Sequence, residues 1–232
     1  TIYWDGAYGA LDMSADISLY STWTFSGDCV LKGNGNTLYL EQAAQINVER
    51  GSSLTLKNIT VKKAHGTNIR CLDAAASVWF DHVDLKISND FYFNQGSFFV
   101  DHCLELDGGY GFYYQSDQQS TIARSGRFEI KPGGLLSYAP SSAARNLIAL
   151  DTEDSELALD GATLHSTTTG LQLTKGTLCV IGKCFLTSDA TCKAEGIIFG
   201  DGVSGANDLT LQVKPESNLK LTSGHLVYKN LA

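Results

Sequence analysis

The chain has 232 residues, of which 43% are hydrophobic and only 18% charged, and 17 Lys and Arg against 25 Asp and Glu leave a net charge of −8. An acidic, lightly charged chain without a cluster of four basic residues is a poor partner for nucleic acid or an anionic membrane. No apolar run approaches the ~18 residues of a membrane-spanning helix, and the length suits one sizeable domain.

In chain order, residues 1–16 contain the strand-like Ile2-Tyr3-Trp4, then Asp5-Gly6 and a mixed segment that reads as a first coil or a loose cap. Residues 17–40 give the short apolar runs ISLY, TWTF, DCVL and TLYL, broken by the turn cluster Gly33-Asn34-Gly35-Asn36. Residues 41–63 carry AQINV, SLTL and NITV, and the pattern is most regular from Asn68 to Leu106. The segment 107–145 is expected to be the least regular, with Asp107-Gly108-Gly109 and Lys131-Pro132-Gly133-Gly134 bracketing one coil. A loop at 138–144 is expected to leave the stack. Order resumes at Asn146, 188–195 reads as a second loop, and DLTLQV, NLKL and HLVYKNL close the chain. Nothing marks a boundary, so 1–232 reads as a single domain.

These runs repeat. A small polar residue, apolar-x-apolar, two turn residues and apolar-x-apolar occur from Ser53, Ser77, Ser97, Ser120, Glu156 and Thr177, at intervals of 24, 20, 23, 36 and 21 residues. The second turn residue is Asn58, His82, His102, Ser125, Gly161 and Gly182. An interleaved series comprises Asn68-IRC, Asp90-FYF, Gly111-FYY, Asn146-LIAL, Gly170-LQL, Gly196-IIF and Gly224-HLVY. Self-similarity at such a period is the signature of a solenoid. One coil of three short strands cannot bury its apolar side alone, whereas stacked coils pair strand on strand about 4.8 Å apart and form interior columns. The pattern predicts an all-β, right-handed parallel β-helix of roughly ten coils with about three short strands each. The hand follows from the general preference of parallel crossovers. Phe91 is expected over Phe112, Phe93 over Tyr114, Val78 over Phe98, and Phe80 over Val100.

Asp81-His82 and Asp101-His102 occupy one turn in consecutive coils. Stacking them gathers two imidazoles and two carboxylates, a donor set for zinc or iron or an acid/base pair. A polar turn stack is the plainer reading and is preferred. Middle residues of each strand point outward, placing Trp79 beside Phe99 and Tyr92 beside Tyr113, where aromatic faces can stack on sugars or a partner. A covering loop is the alternative. No CxxC occurs among Cys29, Cys71, Cys103, Cys179, Cys184 and Cys192, so several are expected as small core residues, with Cys184–Cys192 as the one candidate disulfide. Gly200 to Gly205 match GxGxxG without the helix that a dinucleotide needs. Asn58-Ile59-Thr60 fits a glycosylation acceptor but sits in the turn column. No catalytic set and no cofactor are expected.

The runs GNGNTLYL, SLTLKNITV, ELALDGATL and DLTLQV…NLKLTSG resemble the pectin-lyase-like β-helix superfamily, most closely bacterial surface or secreted solenoids and autotransporter-type passengers. In that superfamily's enzymes a groove holds clustered Asp with Arg or Lys, or several Asp with Gly-His-Gly. This chain has no Gly-His-Gly, and Arg50, Arg70, Arg124, Arg127 and Arg145 align with no Asp cluster on one face. The expectation is a non-enzymatic, extracellular or cell-surface structural or adhesive solenoid. Plain apolar ends (Ile2, Tyr3, Trp4; Leu226, Val227, Tyr228) point either to a piece of a longer rod or to copies of itself stacked end to end, and surface glycans are a further candidate partner. The alternatives are a polysaccharide lyase or hydrolase of this fold, using acids such as Asp81 and Asp101, and a carbohydrate-binding module.

Overall fold

Triplets of apolar-x-apolar between turn residues are too short to bury anything as hairpins, and they are satisfied by stacking. The computed structural model describes residues 2–167, 169–189 and 196–231. It is 58% strand and 2% helix, with parallel sheets stacked as a β-solenoid of about 8 turns, consistent with a right-handed parallel β-helix. The sequence count of roughly ten coils is thus higher than the number of turns. In chain order the first coil is β1 (Ile2–Asp5), β2 (Ala10–Asp12) and β3 (Ile17–Leu19), and these strands start three walls. Residues 5–16 therefore belong to a coil and not to a loose cap, with Asp5 capping the 3-10 turn Gly6–Tyr8.

Register is kept along each wall. On the first, Phe91 lies beside Phe112, then Leu136, Leu164 and Leu186. On the second, Ser53, Ser77 and Ser97 align, with Val78 beside Phe98 and Phe80 beside Val100. On the third, Leu85, Leu106, Ile130, Leu159, Val180 and Val213 form one column. The 17-residue strand Ser77–Phe93 turns two corners, running from the second wall through the third to the first wall of the next coil.

Both repeat series drift from their walls at the same place. Ser120 pairs with Ile148 and not with Glu156, whose partner is Arg127. Tyr113 pairs with Ser137, so the LIAL run belongs to the second wall while FYY belongs to the first. The 36-residue interval is therefore a change of wall as well as a loop. Regular strands run through the segment expected to be irregular: Gly111–Tyr114, Ser120–Ile122, Arg127–Ile130 and Leu135–Tyr138. The excursion is confined to residues 139–147, between Leu135–Tyr138 and Ile148–Leu150. Gly161 and Gly182 likewise occupy the corner from third to first wall, whereas Asn58, His82, His102 and Ser125 occupy the corner from second to third.

The core is one continuous apolar column, densest where Phe98 meets Phe80, Phe93, Phe112, Tyr114 and Phe128 with ring centroids 5.6–6.3 Å apart. These contacts are edge-on, the arrangement that aromatic quadrupoles favour. Buried serines at the corners tie coils through backbone groups: Ser116 Oγ donates to the Gly96 carbonyl at 2.6 Å, and Ser120 Oγ accepts from the Phe98 N–H at 2.8 Å. At Gly96, with φ of 74°, a Cβ would lie 2.5 Å from the Ala76 carbonyl oxygen and 2.6 Å from Cys71 Sγ. The five described cysteines are free thiols, four of them buried. Burial pushes the Cys71 thiol up to about 12. Cys184 Sγ donates to the Leu159 and Ile181 carbonyls at 3.1 Å. Its candidate partner Cys192, and residues 190–195 of the second loop, lie outside the described residues.

Candidate functional site

The corner between second and third walls turns through a residue of positive φ: Asn58 at 47°, His82 at 57° and Ser125 at 58°. This is the left-handed region, uncommon for residues other than Gly and taken most readily by Asn, Asp and His. At His82 the chain places an imidazole directly above that of His102, one coil later. The rings stack with centroids 4.6 Å apart and planes inclined by 25°. Between them and the wall lies Asp81, only 3% exposed. Its Oδ1 is 2.7 Å from His82 Nδ1 and 2.9 Å from His102 Nδ1. Its Oδ2 receives the Lys57 ammonium at 2.5 Å. Of the four titratable residues singled out in the sequence, Asp81, His82 and His102 converge. Asp101 flanks them, with Oδ2 3.4 Å from His102 Nδ1.

Burial raises the Asp81 carboxyl, but hydrogen bonds from Lys57 and His82, the Lys57 charge and the nearby His102 together outweigh it, and the group is held below its ordinary value of 3.8. The same hydrogen bond and charge hold the Lys57 ammonium above its ordinary value. Asp81 is thus an anion enclosed by three cationic or hydrogen-donating side chains. Beside it a cavity of about 340 Å³ is lined by His82, Asp84, Cys103 and Glu105 among others.

The aromatic pairs form as ladders. Trp79 stacks on Phe99 at 4.2 Å on the second wall, and Tyr92 on Tyr113 at 5.0 Å on the first. All four are half-buried. Tyr113 also borders a shallow groove of about 660 Å³ that continues past Ser137, His165 and Thr187. Within it His165 Nδ1 lies 2.7 Å from Thr187 Oγ1, and its Nε2 lies 3.5 Å from Asp189. The Gly200–Gly205 loop closes on itself, with the Asp201 carboxylate accepting from the Val203 and Ser204 N–H groups and from Asn207. Only a three-residue 3-10 turn follows it, so no helix N-terminus faces a phosphate there. Asn58 spends its conformation on the turn, and its carbonyl accepts from Gly35 N at 2.9 Å.

A charge ladder on the outer face of the third wall was not anticipated. Glu129, 7% exposed, pairs with Arg127 and Lys131 at 2.8 Å each, and Lys131 also reaches Glu105 at 3.2 Å. Arg127 further contacts the Glu156 carboxylate. Burial raises the Glu129 carboxyl, yet Lys131 and Arg127 prevail and hold it low. The alternation Arg127-x-Glu129-x-Lys131 was visible in the sequence. What hid the ladder was the wall assignment, since Arg127 meets Glu156 only once these residues share a wall.

No family model, no curated protein and no solved structure matches the chain.

Proposed function

We propose that the chain is a non-enzymatic, extracellular structural or adhesive β-solenoid, akin to the pectin-lyase-like and autotransporter-passenger solenoids, that extends by stacking a second copy end to end. The observation that carries this reading is that both terminal windings leave open apolar positions whose column neighbours deeper in the described stack are buried. At one end Ile2 is 55% exposed, although Ile46 and Ile69 in the same column are buried. There an apolar hollow of about 220 Å³ opens among Ile2, Trp4, Leu11, Met13, Ile17, Trp23 and Phe25, with Asp12 at its edge. At the other end Leu211, Val213, Leu221, Leu226 and Tyr228 are 40–70% exposed, although their wall neighbours Leu178, Val180, Leu186, Ile197 and Phe199 are buried. Two apolar ends, each with strand edges that no described strand pairs, are templates for strand addition. In support of the non-enzymatic reading, the charge ladder is internally paired, with Glu129 held between Arg127 and Lys131.

Electron microscopy and sedimentation velocity over a range of concentrations test the stacking. Rods lengthening with concentration are expected, and Leu226→Glu with Tyr228→Glu is expected to leave single units. Uniform monomers of the natural sequence at high concentration overturn the filament reading. Release of reducing ends or unsaturated products from a polysaccharide panel overturns the non-enzymatic one. A second reading, carbohydrate binding, is favoured by the groove that begins at the Tyr92–Tyr113 stack. Affinity electrophoresis with Tyr113→Ala tests it, and equal mobility shifts for variant and natural chain discard it.

A further inference from the structure

We propose that Asp81, His82 and His102 form a binding site for a divalent transition-metal ion, zinc in the first instance, which staples two consecutive coils. One donor atom from each residue lies within 4.8 Å of the others, and Oδ1 of Asp81 is 2.7 and 2.9 Å from Nδ1 of His82 and His102. Two imidazoles and one carboxylate with a position left open to water are a donor set that zinc accepts.

Three observations fit an ion here better than a turn stack alone. The first is the carboxylate. Asp81 is 3% exposed, and its second oxygen is fixed by Lys57 at 2.5 Å, so the remaining oxygen is aimed between the rings before any ion arrives. Such outer partners orient ligating groups and tune the metal. The second is His82 itself. The turn asks only for a residue that accepts positive φ, and Asn58 and Ser125 meet that need at the same corner. An imidazole there, stacked on a second one a single coil later, exceeds what the backbone requires. The third is room to adjust. The histidine side chains are 59% and 56% exposed. Their Nδ1 atoms, now 2.7 and 2.9 Å from Asp81 Oδ1, can open to the roughly 3.3 Å that separates donors around a tetrahedral ion with bonds of about 2.0–2.1 Å. The adjoining cavity of about 340 Å³ accommodates the water or exogenous ligand on the open position.

Each ring turns Nδ1 toward the carboxylate, and binds the ion through the Nδ1 lone pair when its proton sits on Nε2. Asp81 and Asp101 offset the added charge beside Lys57, Asp101 lying 3.4 Å from His102 Nδ1.

Zinc and cobalt(II), titrated into the chelator-stripped full chain by calorimetry and by visible absorption, test the site. One saturable equivalent is expected, with cobalt giving the absorption of a low-coordinate site. His82→Asn and His102→Gln are each expected to weaken binding at least about tenfold while the metal-free circular dichroism spectrum stays unchanged. Zinc should raise the melting temperature of the natural chain and not that of the double variant. The absence of a saturable equivalent, or binding undiminished in the folded double variant, overturns the proposal.

Discussion

At the scale of single residues, the interior punishes the loss of volume and of hydrogen bonds at different places. Phe98 touches five other aromatic rings from consecutive coils, so the cavity left by Phe98→Ala cannot be filled from one side. A cost of about 3–5 kcal/mol follows, to be read from denaturant unfolding. Tyr138 is different. Its ring is buried in the first wall, but its hydroxyl donates to the Ala144 carbonyl at 2.7 Å and accepts from the Leu147 N–H at 3.1 Å. One side chain therefore pins both sides of the excursion at 139–147. Tyr138→Phe keeps the packing and strands two backbone groups, at about 1–3 kcal/mol. Hydrogen exchange should show the loss confined to residues 139–147, and uniform loosening of the whole core would contradict this assignment.

At the scale of elements, the corner decides what a sequence change does. His82 sits at φ of 57°, where Asn is tolerated and a β-branched residue is strained by about 1–3 kcal/mol. His82→Asn should therefore unfold within about 1 kcal/mol of the natural chain while His82→Val falls clearly below it, and equal stabilities would show that the turn is not strained. The neighbouring Asp81 gives a pH signature. Its folded-state carboxyl lies below the ordinary 3.8, so the stability it contributes is present above that value and is lost as pH falls through the lower, folded-state one. Melting curves in acid should show a shallower decline for Asp81→Asn than for the natural chain. These corners also show what was legible. Apolar-x-apolar triplets with turn dipeptides sufficed for the walls, the parallel pairing and the stacks of Phe91 on Phe112 and Trp79 on Phe99. They did not reveal which wall a triplet belongs to, because all three walls demand the same pattern. The excursion between Tyr138 and Ile148 was legible as a loop, but the change of wall that both series make there was not, and neither was the Arg127–Glu156 contact that depends on it. The Asp81 cluster was legible because Ser77 and Ser97 are close enough in sequence to stay in phase.

At the scale of the whole molecule, each coil rests on its two neighbours, so the value of a side chain depends on whether a coil lies beyond it. In such arrays stability is close to a sum of units and nearest-neighbour interfaces. Leu164 and Leu186 are buried on the first wall, whereas Leu221, next in the same column, is 41% exposed because no described strand covers it. Leu164→Ala should therefore cost about 2–5 kcal/mol at any protein concentration. Leu221→Ala should cost much less in dilute solution. If a second copy seals that end, Leu221 becomes an interior residue in the assembled rod, and binding of the partner stabilises the folded chain by mass action. The penalty of Leu221→Ala should then grow as the concentration rises through the assembly range, while that of Leu164→Ala stays constant. Paired thermal melts of both variants over a hundredfold concentration series separate the cases. A small, concentration-independent cost at Leu221 would mean that its end remains open, and stacking of copies would have to be abandoned.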